Sequence, residues 1–182
     1  MLIRRILAAA PLLFMAANAV RAQSVPSVET KTLDGEPVVL PGAGRAKPLL
    51  LLLGFSHKSD DDFRKWAERA RTPYVSDSRI DYYELVDLQG VPSIIDKMIL
   101  HGMRRAVKEP RRSHFAPFYQ HETDWKKLVK YDDPNVAYVV LADPEGRVVW
   151  ESKGPASEAK ALELESMITK LSAQSVPAQV ND

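Results

Sequence analysis

No cysteine occurs anywhere in the 182 residues. Without a thiol the chain forms no disulfide and performs no thiol–disulfide exchange or thiol-based peroxide reduction, because these chemistries need a thiolate nucleophile. Neither charge is in clear surplus, with 25 Lys and Arg against 24 Asp and Glu. A nucleic-acid binder, by contrast, carries a basic field over one face. No apolar run reaches the ~20 residues that cross a bilayer as a helix. There is no internal repeat and no long low-complexity segment. No two of the four histidines (His57, His101, His114, His121) have the i, i+4 spacing of a helical metal site. Gly42-Ala43-Gly44-Arg45-Ala46-Lys47 precedes a strand and lacks the phosphate-loop pattern, so it is a linker. No cofactor is implied.

What is present begins with a leader. Arg4 and Arg5 stand before an apolar run from Ile6 to Val20, and Ala17, Ala19 and Ala22 follow without one acidic residue. A basic start, a short apolar middle and a small-residue end describe a secretory signal peptide over residues 1–22, cut after Ala19 or Ala22. A mitochondrial presequence would be amphipathic, whereas this run is apolar on all sides. The expected location is the periplasm or cell envelope. The remaining chain, with 22 basic and 24 acidic residues, is long enough for one domain over 23–172. Residues 173–182 are expected to be a disordered tail.

The domain opens with two strand-like runs between Val28 and Leu40 that flank Asp34-Gly35, a hairpin signal. Leu49–Phe55 is a continuous apolar run, as in a strand buried on both faces. Ser59–Arg71 has helical periodicity: Ser59 or Asp60 as cap, acids in the first turn, and Phe63, Trp66, Ala67 and Ala70 on one face. Thr72-Pro73 is expected to end it. A strand over Ile80–Val86 leads to a helix opened by Pro92 and running toward Pro110, with Ile95, Met98, Ile99, Gly102, Met103 and Ala106 expected inward. His114–Tyr119 is a short strand whose Pro117 suits an edge. A helix capped by Thr123 or Asp124 follows, with Trp125, Leu128 and Val129 inward. Strands over Val136–Ala142 and Arg147–Ser152 flank the turn Asp143–Gly146, and a helix over Ser157–Ser172 closes the domain. Trp66, Trp125 and Trp150 fall at inward positions. This order predicts an α/β fold: a mixed sheet with helices on both faces and an N-terminal β-hairpin.

Two stretches, Thr32–Gly42 (TLDGEPVVLPG) and Val139–Ser157 (VVLADPEGRVVWESKGPAS), resemble the exported-thioredoxin and peroxiredoxin superfamily. The resemblance implies a thioredoxin-like fold. In that superfamily the reactive cysteine sits just after the first central strand, where a helix N-terminus favours the thiolate. Here Gly54-Phe55-Ser56-His57-Lys58-Ser59-Asp60-Asp61 fills that place. A narrower resemblance, resting on Tyr83–Arg112 and the later AYVVLADPEGRVVW run, is to the assembly-factor family of the mitochondrial F-type ATP synthase and its bacterial relatives. It implies a protein client, with a membrane-complex subunit as a candidate.

Two segments are therefore the candidate binding surface. The first is the loop Phe55, His57, Lys58, Ser59 and Asp60. A serine beside histidine and aspartate invites a nucleophile reading, but residues adjacent in a helix-starting loop rarely reach the required geometry, and Ser59 serves equally as a cap. The second is Gly102, Met103, Arg104, Arg105 and Arg112, part of a basic run that includes Lys108 and Arg111. Such a run suits a helix C-terminus, an acidic protein partner or an anionic lipid surface. The expected function is a non-redox binding or assembly factor rather than an enzyme. The alternatives are a copper carrier using His and Met (Met98 and His101 share a helix face) and a thiol-independent oxidoreductase relative.

Overall fold

Five consecutive leucines, Leu49–Leu53, all but inaccessible to solvent, form the centre of the molecule. They belong to β3 (Leu49–Gly54), whose alternate side chains feed two separate cores. Leu50 and Leu52 face one, and Leu49, Leu51 and Leu53 the other. A strand apolar at every position needs cover on both sides. In this computed structural model, residues 23–174 are described. The expected signal peptide and most of the expected tail lie outside them.

The five-stranded sheet has the order β5-β4-β3-β6-β7. β4 (Asp81–Asp87) runs parallel to β3, and β5 (Phe115–Phe118) parallel to β4. On the other side β6 (Tyr138–Ala142) and β7 (Val148–Lys153) are antiparallel. Helices α1 (Asp60–Tyr74), α2 (Ser93–Ala106) and α4 (Glu158–Gln174) share one core, through Phe63 and Trp66, Leu100 and Met103, and Leu164 and Ile168. On the opposite face α3 (Glu122–Leu128) inserts Trp125 and Leu128.

The hairpin of β1 (Val28–Lys31) and β2 (Pro37–Leu40) pairs with itself as expected. Its turn needs the positive φ of 92° at Gly35, which costs glycine nothing. The hairpin also covers the outer edge of β5: Leu33 N–H donates to the Phe115 carbonyl at 2.8 Å, and Thr30 Oγ1 donates to the Pro117 carbonyl. At the far side, Val148 N–H donates to the Gln23 carbonyl at 2.7 Å and Val25 N–H to the Gly146 carbonyl at 2.9 Å. Residues 23–40 thus touch both flanks of the sheet.

Several expectations change. Helix α1 continues past Thr72-Pro73 to Tyr74. A proline near a helix C-terminus removes few bonds, and the buried Tyr74 ring, with its hydroxyl donating to Glu165, anchors the last turn. The side chain of Ala70 lies outside those described. Helix α4 runs to Gln174, two residues into the segment expected to fray. The largest correction concerns α2, which has no buried residue. Its partly buried positions are Asp96, Ile99, Leu100 and Met103, whereas Ile95, Met98, Gly102 and Ala106, expected inward, face solvent.

Candidate functional site

The loop after β3 is built by serines. Ser56 caps a single 3-10 turn, His57–Ser59, that leads into α1: its Oγ accepts from Lys58 N–H at 3.0 Å and donates to the Pro134 carbonyl at 2.6 Å. Ser59, expected as cap or partner contact, is instead buried, and its hydroxyl donates back to the Ser56 carbonyl at 2.8 Å. The cap moved because the 3-10 turn starts the helical segment three residues early. Ser59 therefore presents no nucleophile to solvent.

Phe55 is buried too, packed edge-on against Phe118, Tyr131 and Tyr138. From this loop only His57, Lys58 and Asp60 are exposed, along with part of Ser56. His57 Nδ1 lies 2.6 Å from Asp60 Oδ2, with the imidazole 96% exposed. Gly54 supports the arrangement, because a Cβ there would stand 3.0 Å from the Phe63 ring.

The basic segment is divided by its ion pairs. Arg111 makes a bidentate bond to Glu84, which is fully buried in the middle of β4: Nε donates at 2.7 and 2.8 Å. Arg111 also lies over the Phe115 ring at 5.6 Å. Arg112 pairs with Glu109 and Asp34, tying the segment to the hairpin turn. Arg104 donates from Nε to the Leu33 carbonyl at 3.0 Å. Met103 is half-buried, while Gly102, Arg104 and Arg105 are exposed. Sequence reasoning missed the Glu84–Arg111 pair, since its partners are 27 residues apart and only the tertiary fold joins them.

The two halves of the expected surface do not coincide. Gly54 pairs with Val86 in register, so the His57 loop and the start of α2 share one end of the sheet. Helix α2 then runs back for 14 residues, about 21 Å, bringing Arg104 beside Leu33, and the turn after it brings Arg112 beside Asp34. The outer face of α2 bridges the two ends, with Ile94 77%, Met98 71% and Ile95 47% exposed. Of these, Ile95 and Met98 were expected in the core. The signal was present in the chain: Ile94, Ile95, Met98, Ile99, Leu100 and Met103 span too wide an arc for one buried stripe.

Beside α2 lies a groove of about 520 Å3 between the hairpin, with Thr30, Leu33 and Val39, and Leu100, Pro117 and Tyr119. Tyr119 donates to Asp96 at 3.0 Å, and burial, with that carboxylate, pushes its phenol up to about 12. Among the described residues no three His, Asp or Glu side chains are grouped to hold a metal ion. The histidines sit on separate elements: His57 and His121 beside aspartates, His101 exposed on α2, and His114 with Nδ1 3.0 Å from the Tyr82 carbonyl. Among the described residues no helix is long and apolar enough to cross a membrane.

No known protein family matches the sequence, and no curated protein does. Solved structures do match. The exposed lipoprotein thioredoxin Etrx1 of Streptococcus pneumoniae TIGR4 superposes with a TM-score of 0.57 at 11% identity, over 80% of this chain and 100% of that one. StoA of Bacillus subtilis superposes with a TM-score of 0.50 at 13% identity, over 79% of this chain and 98% of that one. The chain has a thioredoxin-like fold, with the mixed sheet and N-terminal hairpin expected from the order of its elements.

Proposed function

We propose that this protein is a non-redox, thioredoxin-like binding or assembly factor of the cell envelope that holds a protein client. One observation carries the reading. The position where this fold places a reactive thiol is built in full, with capped turn, helix and flanking strands, yet it presents His57, Lys58 and Asp60 in a chain without cysteine. A scaffold that keeps its shape and has no thiolate retains recognition and lacks exchange chemistry. The client surface comprises the exposed His57-Lys58 loop and the Gly102–Arg105 end of α2. The resemblance to ATP synthase assembly factors makes a membrane-complex subunit the client class to examine first, and the basic leader supports export.

Affinity purification of the tagged full-length protein from crosslinked envelope fractions tests this. One discrete client should be recovered and should be lost when Arg104 and Arg105 are both changed to Glu. Recovery of no enriched partner, or insulin reduction above background by the purified protein, would refute the proposal.

A further inference from the structure

Resting on that reading, we infer the form in which the client presents itself: an acidic, amphipathic α-helix that lies along the outer face of α2, over Gly102 and Ala106. Three independent features of α2 converge on this partner.

The first is its unpartnered apolar surface. Ile94, Ile95 and Met98 project into solvent, although most of the other large apolar residues among those described are buried. Contiguous exposed apolar surface of this kind marks an interaction site.

The second is Gly102. Glycine in a helix interior is disfavoured, and it is kept where a turn needs positive φ or another backbone comes close. Gly102 has an ordinary helical φ, and a Cβ built on it would meet nothing within 4 Å. The fold itself makes no use of its bare surface. With Ala106 one turn on, it leaves an exposed strip without bulky side chains, where the backbone of another helix can come close.

The third is charge. Every other arginine whose side chain is described pairs with a carboxylate. Arg104 and Arg105 do not; nor, among the described residues, do Lys97 and Lys108. At 100° per residue Arg105 falls beside Met98, next to the Ile95–Met98–Gly102–Ala106 stripe, while Lys97 and Arg104 lie farther round, beyond Ile94. A basic edge thus borders the exposed apolar face on one side, and Lys108 follows just past the helix end. A partner helix complementary to both carries an apolar face edged by Asp or Glu. A second copy of this chain would set cation against cation, which disfavours it. A bilayer surface would call for large apolar residues along the whole helix, and Gly102 and Ala106 offer none.

The test uses the full-length protein in intact cells, with Met98 or, separately, Lys58 replaced by the photocrosslinker p-benzoylphenylalanine and the captured segment mapped by mass spectrometry. The Met98 probe should capture a segment with apolar residues at i, i+3, i+4 and i+7 flanked by Asp or Glu. Gly102→Leu should reduce that yield at least tenfold while leaving the melting temperature at or above that of the parent protein. Gly102→Ala, which only fills open space, should raise the melting temperature by a few degrees. Capture of lipid, of a second copy, or of a basic or extended segment would overturn the inference, as would undiminished capture by Gly102→Leu. A client caught from Lys58 but not from Met98 would refute the α2 inference and leave the binding function standing. Capture at neither position would remove both.

Discussion

Asp87, at the end of β4, keeps its proton more tightly than an ordinary aspartate. Burial, joined by the nearby Glu122, pushes its carboxyl from 3.8 up to about 6, against the opposing bond from Gln89 N–H at 2.9 Å. Between about pH 4 and 6 the folded chain therefore holds a proton that the unfolded chain has released. Stability attributable to this group is greatest at the acid end of that window and declines as pH rises through it. Above pH 6 the ionised carboxylate costs roughly 1–3 kcal/mol. Asp87→Asn preserves the acceptor for Gln89 N–H. Urea unfolding should show it more stable than the parent at pH 7.5 and little changed at pH 4.5. The Glu84–Arg111 pair obeys a different rule, because its two ends are desolvated together. Glu84→Gln should cost about 2–3 kcal/mol by stranding a half-buried guanidinium, whereas Glu84→Leu with Arg111→Met should recover most of that loss in a double-mutant cycle. Neither residue announced its role in the sequence, where Glu84 is one acid within a strand and Arg111 one cation in a cluster.

Among the elements, β3 and α2 mark the limits of what the sequence discloses. Leu49–Leu53 read as a doubly covered strand, and the two cores on either side of it follow from that alternation, whereas the order of the strands beside it rests on tertiary pairing. Periodicity placed the start of α2 but carried it past Ala106, where it ends, and misjudged its rotation. An apolar stripe identifies a face without saying whether the chain itself or another molecule covers it. In α1, α3 and α4 the chain covers its own faces, with Trp66, Trp125 and Ile168 almost inaccessible. In α2 the covered side is confined to Asp96, Ile99, Leu100 and Met103. The difference is measurable by thermal or denaturant unfolding. Ile94→Ser with Met98→Ser should change stability by less than about 0.5 kcal/mol, as exposed substitutions do. Met103→Ala, by contrast, should cost about 1–2 kcal/mol, below the range for fully buried methionines because this one is half-buried. The candidate loop was legible to a similar degree. Its place after β3 followed from strand–helix order, but the burial of Phe55 and Ser59 depended on the aromatic cluster and the Pro134 contact supplied by distant segments.

In the whole molecule, the N-terminal hairpin acts on a strand it does not adjoin in sequence. β5 is an edge strand, short and interrupted by Pro117, and the segment around Leu33 closes its outer side. Leu33 is buried among residues of α1, β4 and β5. Leu33→Ala should cost about 2–4 kcal/mol through the cavity it leaves. It should also loosen the hairpin and open the β5 edge to other chains, which light scattering during mild heating would detect as earlier aggregation.

The bond from Val148 N–H to the Gln23 carbonyl would constrain the removal of a leader over residues 1–22. A leader cut after Ala22 would be severed one residue from a backbone group already stitched to β7, where a peptidase has no extended segment to grip. On that scheme export and processing precede folding, and a chain that folds too soon keeps its leader. A cut after Ala19 leaves three residues of slack and escapes the constraint. N-terminal sequencing of the protein recovered from envelope fractions, made with the parent chain and with the more stable Asp87→Asn variant, would show whether a leader is cut there and whether added stability delays the cut.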